Sequence, residues 1–221
     1  RSTLFPYTTL FRSASPDEEV TVSFALANSD AVTALQVNIP LDEELTLVSG
    51  SLVKSARLAN HDASASANNG VLRVMVYSTQ MTTIAAGEGE LFTLKLKMGS
   101  QPKDIELTPS TLTLTGSSGT VESTSQTGTV SIRCAKAQYS TMTVDYGEVP
   151  IHSSYQRTVT VTNIGNEPLE VTALTFSDAT TFSSTTTLPF TVPAGSSAPI
   201  NVTYAPTVRG TITETMKVTC N

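Results

Sequence analysis

The sequence predicts an all-β protein built from two consecutive β-sandwiches, and three observations carry that prediction. Apolar residues recur with a period of two in short runs, turn-forming residues interrupt those runs, and no stretch from Ala14 to Arg133 has the 3.6-residue period of an amphipathic helix. Composition agrees, because Thr, Ser and Val fill the runs where a helical protein would use Ala, Leu, Glu and Lys. The 221 residues, 39% of them hydrophobic, suffice for one or two domains of roughly 100 to 200 residues each.

The first predicted strand is EVTVSFALAN from Glu19, with Val20, Val22, Phe24 and Leu26 on one face and Thr21, Ser23 and Ala25 on the other. VTALQVNI from Val32, ELTLVS from Glu44, VLRVMVYS from Val71, ELFTLKLKM from Glu90 and TVSIR from Thr129 follow the same rule. Asn28-Ser29-Asp30, Asn68-Asn69-Gly70, Gly87-Glu88-Gly89 and Gly116-Ser117-Ser118-Gly119 read as the turns between them. A second series comprises STMTVDY, SYQRTVTVTN, LEVTALTF, PFTV, APINVTYAP and TITETMKVTC, reversed at Asn163 to Asn166, Pro193 to Gly195 and Pro206 to Gly210. The expected organisation is a first sandwich over 14–134, a short linker over 135–138 that lacks Gly and Pro, and a smaller sandwich over 139–221.

Several function classes are disfavoured by charge and composition. A net charge of -6 without any cluster of Lys or Arg argues against a nucleic-acid partner. No apolar run approaches the ~20 residues of a membrane-spanning helix. Cys134 and Cys220 are in no metal-binding spacing and are expected as two thiols, a bridge between them being the alternative. His61 beside Asp62 lacks a nucleophile elbow and reads as an exposed loop histidine, and His152 as a residue connecting strands. The acidic runs Asp17-Glu18-Glu19 and Asp42-Glu43-Glu44 lack the calcium-loop pattern and read as solvated turns. Neither a cofactor nor a metal is expected, and no paired carboxylates flank an evident cleft, so the chain is expected not to be an enzyme.

The segment ALQVNIPLDEELTLVSGSLVKSARLANHDASASANNGVLRVMVYSTQMTTIAAGEGELFTLKLKM combines an L-x-V-x-S-like run, an N-G-x-L-R strand ending in Y-S and a G-E-L-x-x-L strand. In that order these resemble a cohesin domain. The resemblance implies a nine-stranded jelly roll that binds dockerin modules in extracellular assemblies degrading polysaccharide; because some carbohydrate-binding modules share the sandwich, a polysaccharide ligand is the alternative. Further on, VDYGEVPI, RTVTVTNIGNEPLEVTAL and LPFTVPAGSSAPINVTYAPTVRGTITETMKV resemble the hydin-type (ASH) Ig-like domain. That resemblance implies a spacer or adhesive module of a secreted or surface protein. Within it, Gly165 and Gly195 suit positive-φ turns, Pro168 pre-sets the chain before a strand, and Pro206 and Gly210 bracket a final hairpin.

Alternation also yields a candidate binding face. If Leu35, Val37 and Ile39 point inward with Leu72, Val74 and Val76, then Gln36, Asn38, Arg73, Met75 and Tyr77 point outward on the first sandwich. Arg, Met and Tyr are residue types enriched at protein interfaces. The expected function is a non-catalytic binding module with an Ig-like spacer, of extracellular or cell-surface location; glycan binding, with Tyr77 and Tyr155 as platforms, and a purely structural spacer for a catalytic domain elsewhere are the alternatives. The opening RSTLFPYTTLFRS stands apart, because TLFPYTTLFRS is similar to the translation of a sequencing-adapter oligonucleotide. Residues 1–13 are therefore expected to pack on nothing.

Overall fold

The computed structural model describes residues 2–7 and 12–221, and the chain divides into two compact units at Arg133/Cys134. In the first unit the strands are β1 (Ser2–Tyr7), β2 (Arg12–Ala14), β3 (Glu19–Asn28), β4 (Ala34–Pro40), β5 (Leu45–Leu47), β6 (Val53–Lys54) and β7 (Asp62–Asn68). They continue with β8 (Val71–Tyr77), β9 (Gly87–Met98), β10 (Lys103–Leu107), β11 (Thr111–Gly116), β12 (Gly119–Val121), β13 (Ser123–Ser125) and β14 (Gly128–Ile132). One sheet runs β13-β1-β3-β9-β5 with β6 also on β9, a second runs β12-β11-β4-β8-β7, and β10-β14-β2 form a short third.

Period-two patterning decides which side of each strand is buried. On β4 and β8 the residues Leu35, Val37, Ile39, Leu72, Val74 and Val76 are all at most 2% exposed, and they share one core with Val22, Phe24, Leu26, Leu94 and Leu96 of β3 and β9. Phe24 and Phe92 face each other in register with stacked rings 4.9 Å apart, so the two longest strands are pinned by their largest side chains. Asn69 and Gly70, both at positive φ, close the β7–β8 hairpin in two residues. Arg57, on a 3-10 turn over Ala56–Leu58, donates to the carbonyls of Leu26, Gly89, Ala85 and Gly87 and to Asn28 Oδ1, tying the start of β9 to the end of β3. Gly87 and Gly89, expected in a turn, lie inside β9 opposite Asn28 and Leu26.

The expectation that residues 1–13 pack on nothing is overturned. β1 pairs antiparallel with β3, Phe5 opposite Ala25, and parallel with β13, while β2 pairs with β14. Leu4 is fully buried in the core, and the Ser2 amide donates to the Glu122 carbonyl at 3.1 Å. Phe11, the other residue on which that expectation turned, lies outside the described residues. The physical reason is local: β3 has an open edge opposite β9, and a Thr/Leu/aromatic segment has the propensity to satisfy that edge whatever its origin.

The second unit contains β15 (Ala137–Tyr139), β16 (Tyr155–Asn163), β17 (Leu169–Phe176), β18 (Phe182–Ser184), β19 (Phe190–Val192), β20 (Ser197–Tyr204) and β21 (Met216–Cys220). Its sheets are β15-β16-β20-β18 and β19-β17-β21, closed over Val161, Leu169, Val192, Ile200 and Val202. Ala137 and Gln138, expected in a linker, are thus part of a strand, paired with Asn163 and Thr162. Asn163 is fully buried and fully used: its Nδ2 donates to the carbonyls of Glu167 (2.8 Å) and Val192 (2.9 Å), and its Oδ1 accepts from the amides of Gly165 (2.9 Å) and Lys136 (3.3 Å).

Candidate functional site

The sheet β12-β11-β4-β8-β7 turns its outer face to solvent, and strand register sorts that face into cross-strand rows. Thr111, Asn38, Arg73 and Ser66 make one row; Thr113, Gln36, Met75 and Ser64 the next; Thr115, Ala34, Tyr77 and Asp62 the third. The structure thus brings together all five residues singled out from the sequence, in the phase alternation predicts. Met75 and Tyr77 are 41% and 43% exposed, neighbours on one strand, with Arg73 exposed beside them. The first row is knitted by hydrogen bonds, Arg73 Nε donating to Asn38 Oδ1 (3.2 Å) and Asn38 Nδ2 to Thr111 Oγ1 (2.8 Å). That network fixes the guanidinium over the sheet and lowers the entropy lost when a partner engages it.

The small side chains on β7 were not foreseen as strand or site. Ala63 and Ala65 face inward, while Ser64 and Ser66 keep that edge of the face low around Met75 and Arg73. What the face offers is a platform of Thr, Ser, Asn and Gln hydroxyls and amides around an Arg-Met-Tyr strip, with Asp62 as the carboxylate in the Tyr77 row. Such a surface can hydrogen-bond and stack, and it holds no nucleophile–base pair.

His61, just before β7, departs from expectation. It is only 3% exposed, and neither ring nitrogen has a hydrogen-bond partner. Burial pushes its pKa down; the backbone of Thr82 works against that shift, and the neighbouring positive charge of Lys54, whose Nζ donates to the His61 carbonyl at 2.6 Å, works with it. A neutral ring fits a site walled by the 3-10 turn and the start of β7; the polar neighbours Asn60 and Asp62 gave no hint of it. Three carboxylates of the acidic runs form ion pairs at the surface, Lys97 meeting Asp17 (3.3 Å), Lys95 meeting Glu19 (3.1 Å) and Lys103 meeting Asp42. Among the described residues no group of three His, Cys, Asp or Glu side chains is placed to hold a metal, no helix is long and apolar enough to cross a membrane, and Cys134 and Cys220 are free thiols.

Two of the readings of turn residues in the second unit are corrected by the structure. Gly195 and Gly210 adopt positive φ (70° and 132°), and Pro168 directly precedes β17. Gly165 does not use positive φ; it is required by close approach, since a Cβ there would lie 2.3 Å from the Cys134 carbonyl oxygen and 2.6 Å from the Lys136 nitrogen. Pro206 and Gly210 do not bracket a hairpin. β20 and β21 belong to different sheets, and the connection crosses between them, with the buried Pro206 accepting from the His152 amide at 2.8 Å.

Together these features define a modular all-β protein whose first sandwich presents a five-stranded sheet to solvent and whose second is Ig-like. Comparison with known families makes this specific: residues 12–133 match the cohesin domain model, and the chain belongs to that family. Residues 134–221 match the ASH model, "Abnormal spindle-like microcephaly-assoc'd, ASPM-SPD-2-Hydin". Among solved structures, a non-cellulosomal cohesin from the archaeon Archaeoglobus fulgidus aligns with a TM-score of 0.51 at 16% identity, over 61% of this chain and 92% of that one. The seventh ScaB type I cohesin of Pseudobacteroides cellulosolvens aligns with a TM-score of 0.50 at 12% identity, over 67% and 97%. CaCohA2 of Clostridium acetobutylicum, in its complex with CaDoc0917, aligns with a TM-score of 0.51 at 16% identity, over 60% and 99%. These likenesses establish the fold. A comparison with curated protein sequences finds no match.

Proposed function

We propose that the chain is a non-catalytic recognition protein of an extracellular or surface assembly, in which the outer face of β12-β11-β4-β8-β7 docks a dockerin-type protein module and the second unit acts as an Ig-like spacer. The observation that carries this reading is the Arg73-Met75-Tyr77 strip on β8, exposed between β4 and β7 and flanked by hydrogen-bonding side chains. Exposed Arg, Met and Tyr side by side supply the apolar area and directional donors of an interface centre. Membership of the cohesin family and the presence of a partner module on CaCohA2 support the choice of partner.

The test is a calorimetric titration of the chain with a panel of dockerin modules that includes CaDoc0917. Arg73→Ala with Tyr77→Ala should weaken the interaction at least tenfold, since central interface residues of these types cost about 2 kcal/mol or more on truncation. Both side chains are exposed, so the double variant should melt with the parent. Binding unchanged by the double variant would sink the assignment. A polysaccharide partner would use Tyr77 or Tyr155 as a platform instead, and retardation by polysaccharide in affinity electrophoresis, abolished by Tyr77→Ala or Tyr155→Ala, would replace the dockerin reading with that one.

A further inference from the structure

The second unit has a feature the spacer role does not use. A groove of about 790 Å³ opens at one end of its sandwich, floored by Phe176, Phe182 and Tyr204 and walled by Tyr146 and Met216. The aromatic rings form a continuous cluster: Phe182 stacks on Tyr204 at 4.8 Å and on Phe176 at 6.5 Å, and Tyr146 lies 5.2 Å from Tyr204. Tyr146 is fixed there by its hydroxyl, which donates to the Val202 carbonyl at 2.7 Å.

Both chain segments that border the groove are patterned as strands yet belong to no sheet. From Thr211 to Cys220 exposure alternates without interruption, Ile212, Glu214 and Met216 turning inward, but pairing begins only at Met216. Across the groove, Val144 and Tyr146 turn inward from a segment outside any strand. Among the described residues, the backbones of Val144–Tyr146 and Thr211–Thr213 make no backbone–backbone hydrogen bond. An extended backbone with unspent donors and acceptors is the template for strand addition.

Charge selects among extended occupants. Asp145, Glu148 and Glu214 line the groove, and no basic side chain does. Glu214 sits at an inward position with its Oε1 accepting from Ser177 amide (2.8 Å) and hydroxyl, interactions that lower its pKa and keep it ionised. Arg157, on β16, acts electrostatically on Tyr146 without lining the groove. Carboxylates over aromatic rings suit a Lys or Arg side chain, which gains both ion pairing and cation–π attraction.

We propose that this groove binds an extended, basic peptide segment of a protein partner, which adds as a strand along Thr211–Thr213 and lays a Lys or Arg side chain over the aromatic floor between Asp145, Glu148 and Glu214. This site is separate in sequence from the face assigned above, and its occupant is of opposite charge to this chain's own surplus.

The experiment uses the full chain and two fluorescein-labelled synthetic octapeptides, one alternating valine with lysine and one alternating valine with glutamate, read by anisotropy at low salt. The valine/lysine peptide should bind and the valine/glutamate peptide should not. Asp145→Asn with Glu148→Gln, both at exposed positions, should weaken binding about tenfold, two exposed carboxylates each contributing modestly. Hydrogen exchange on the peptide-bound chain should show new protection at Thr211–Thr215. Equal binding of the two peptides, binding indifferent to the double variant, or protection that arises elsewhere would each overturn the proposal. Arg73→Ala with Tyr77→Ala should leave this binding unchanged, which separates it from the docking face.

Discussion

Leu4→Ala tests whether the first strand belongs to the sandwich. Leu4 is 0% exposed and contacts the core of the first unit, and β1 bridges β3 and β13. Truncating a fully buried leucine removes its transfer free energy and leaves a cavity, for a loss of about 2 to 5 kcal/mol. Unfolding entropy near the midpoint is about 2.1 cal/mol/K per residue, so a unit the size of residues 1–133 changes stability by roughly 0.3 kcal/mol per degree. A loss of about 3 kcal/mol therefore lowers the melting temperature of that unit by about 10 °C. Differential scanning calorimetry of the full chain reads this directly, with Val53→Ala as the control, because Val53 is 62% exposed and its truncation should stay within about 0.5 kcal/mol. A Leu4→Ala thermogram superimposable on the parent would show that residues 2–7 contribute nothing to the fold and would refute the packing argument.

His61 should make the first unit acid-sensitive. Its folded-state pKa lies below the ordinary 6.5, so the unfolded state takes up the proton first; the stability this provides is complete above about pH 6.5 and declines as pH falls from there through the folded-state value. The slope is at most about 1.4 kcal/mol per pH unit for one proton, and His61→Leu should flatten it in melts recorded from pH 7.5 to 5. Gly165 and Gly195 of the second unit should respond differently to alanine. Gly165→Ala forces a Cβ to within 2.3 Å of a backbone oxygen and should cost more than about 3 kcal/mol, whereas Gly195→Ala meets nothing within 4 Å and should cost about 1 kcal/mol for its positive φ. Urea denaturation of the two variants gives the comparison, and equal losses would contradict it.

Alternation made the architecture legible. β4, β8, β16, β17 and β20 each announce a buried and an exposed side, whereas β3 is covered on both, Ser23 and Ala25 being buried as well; the phase of β4 and β8 was enough to place Gln36, Asn38, Arg73, Met75 and Tyr77 on one surface. What escaped was set by partners distant in sequence. β7 is a run of Ala and Ser with little intrinsic strand preference, and it is a strand because the Asn69-Gly70 turn folds it back on β8. Gly165 resembles any turn glycine until Cys134 and Lys136 are seen against it. Burial of His61 and the five acceptors of Arg57 depend on how the 3-10 turn seats against the ends of β3 and β9. Segment 211–215 carries a strand's alternation, but pairing needs a neighbour as well as a pattern.

The docking face proposed above is the outer side of the sheet β12-β11-β4-β8-β7. Hydrogen exchange with mass spectrometry on the chain alone and saturated with a dockerin module that binds it tests this most directly. Protection should rise over Ala34–Pro40, Asp62–Asn68 and Val71–Tyr77, the three strands that carry the Arg73-Met75-Tyr77 strip and its flanks, and stay unchanged over the opposite sheet at Glu19–Asn28 and Gly87–Met98. Protection confined to the opposite sheet, or to the second unit, would contradict it.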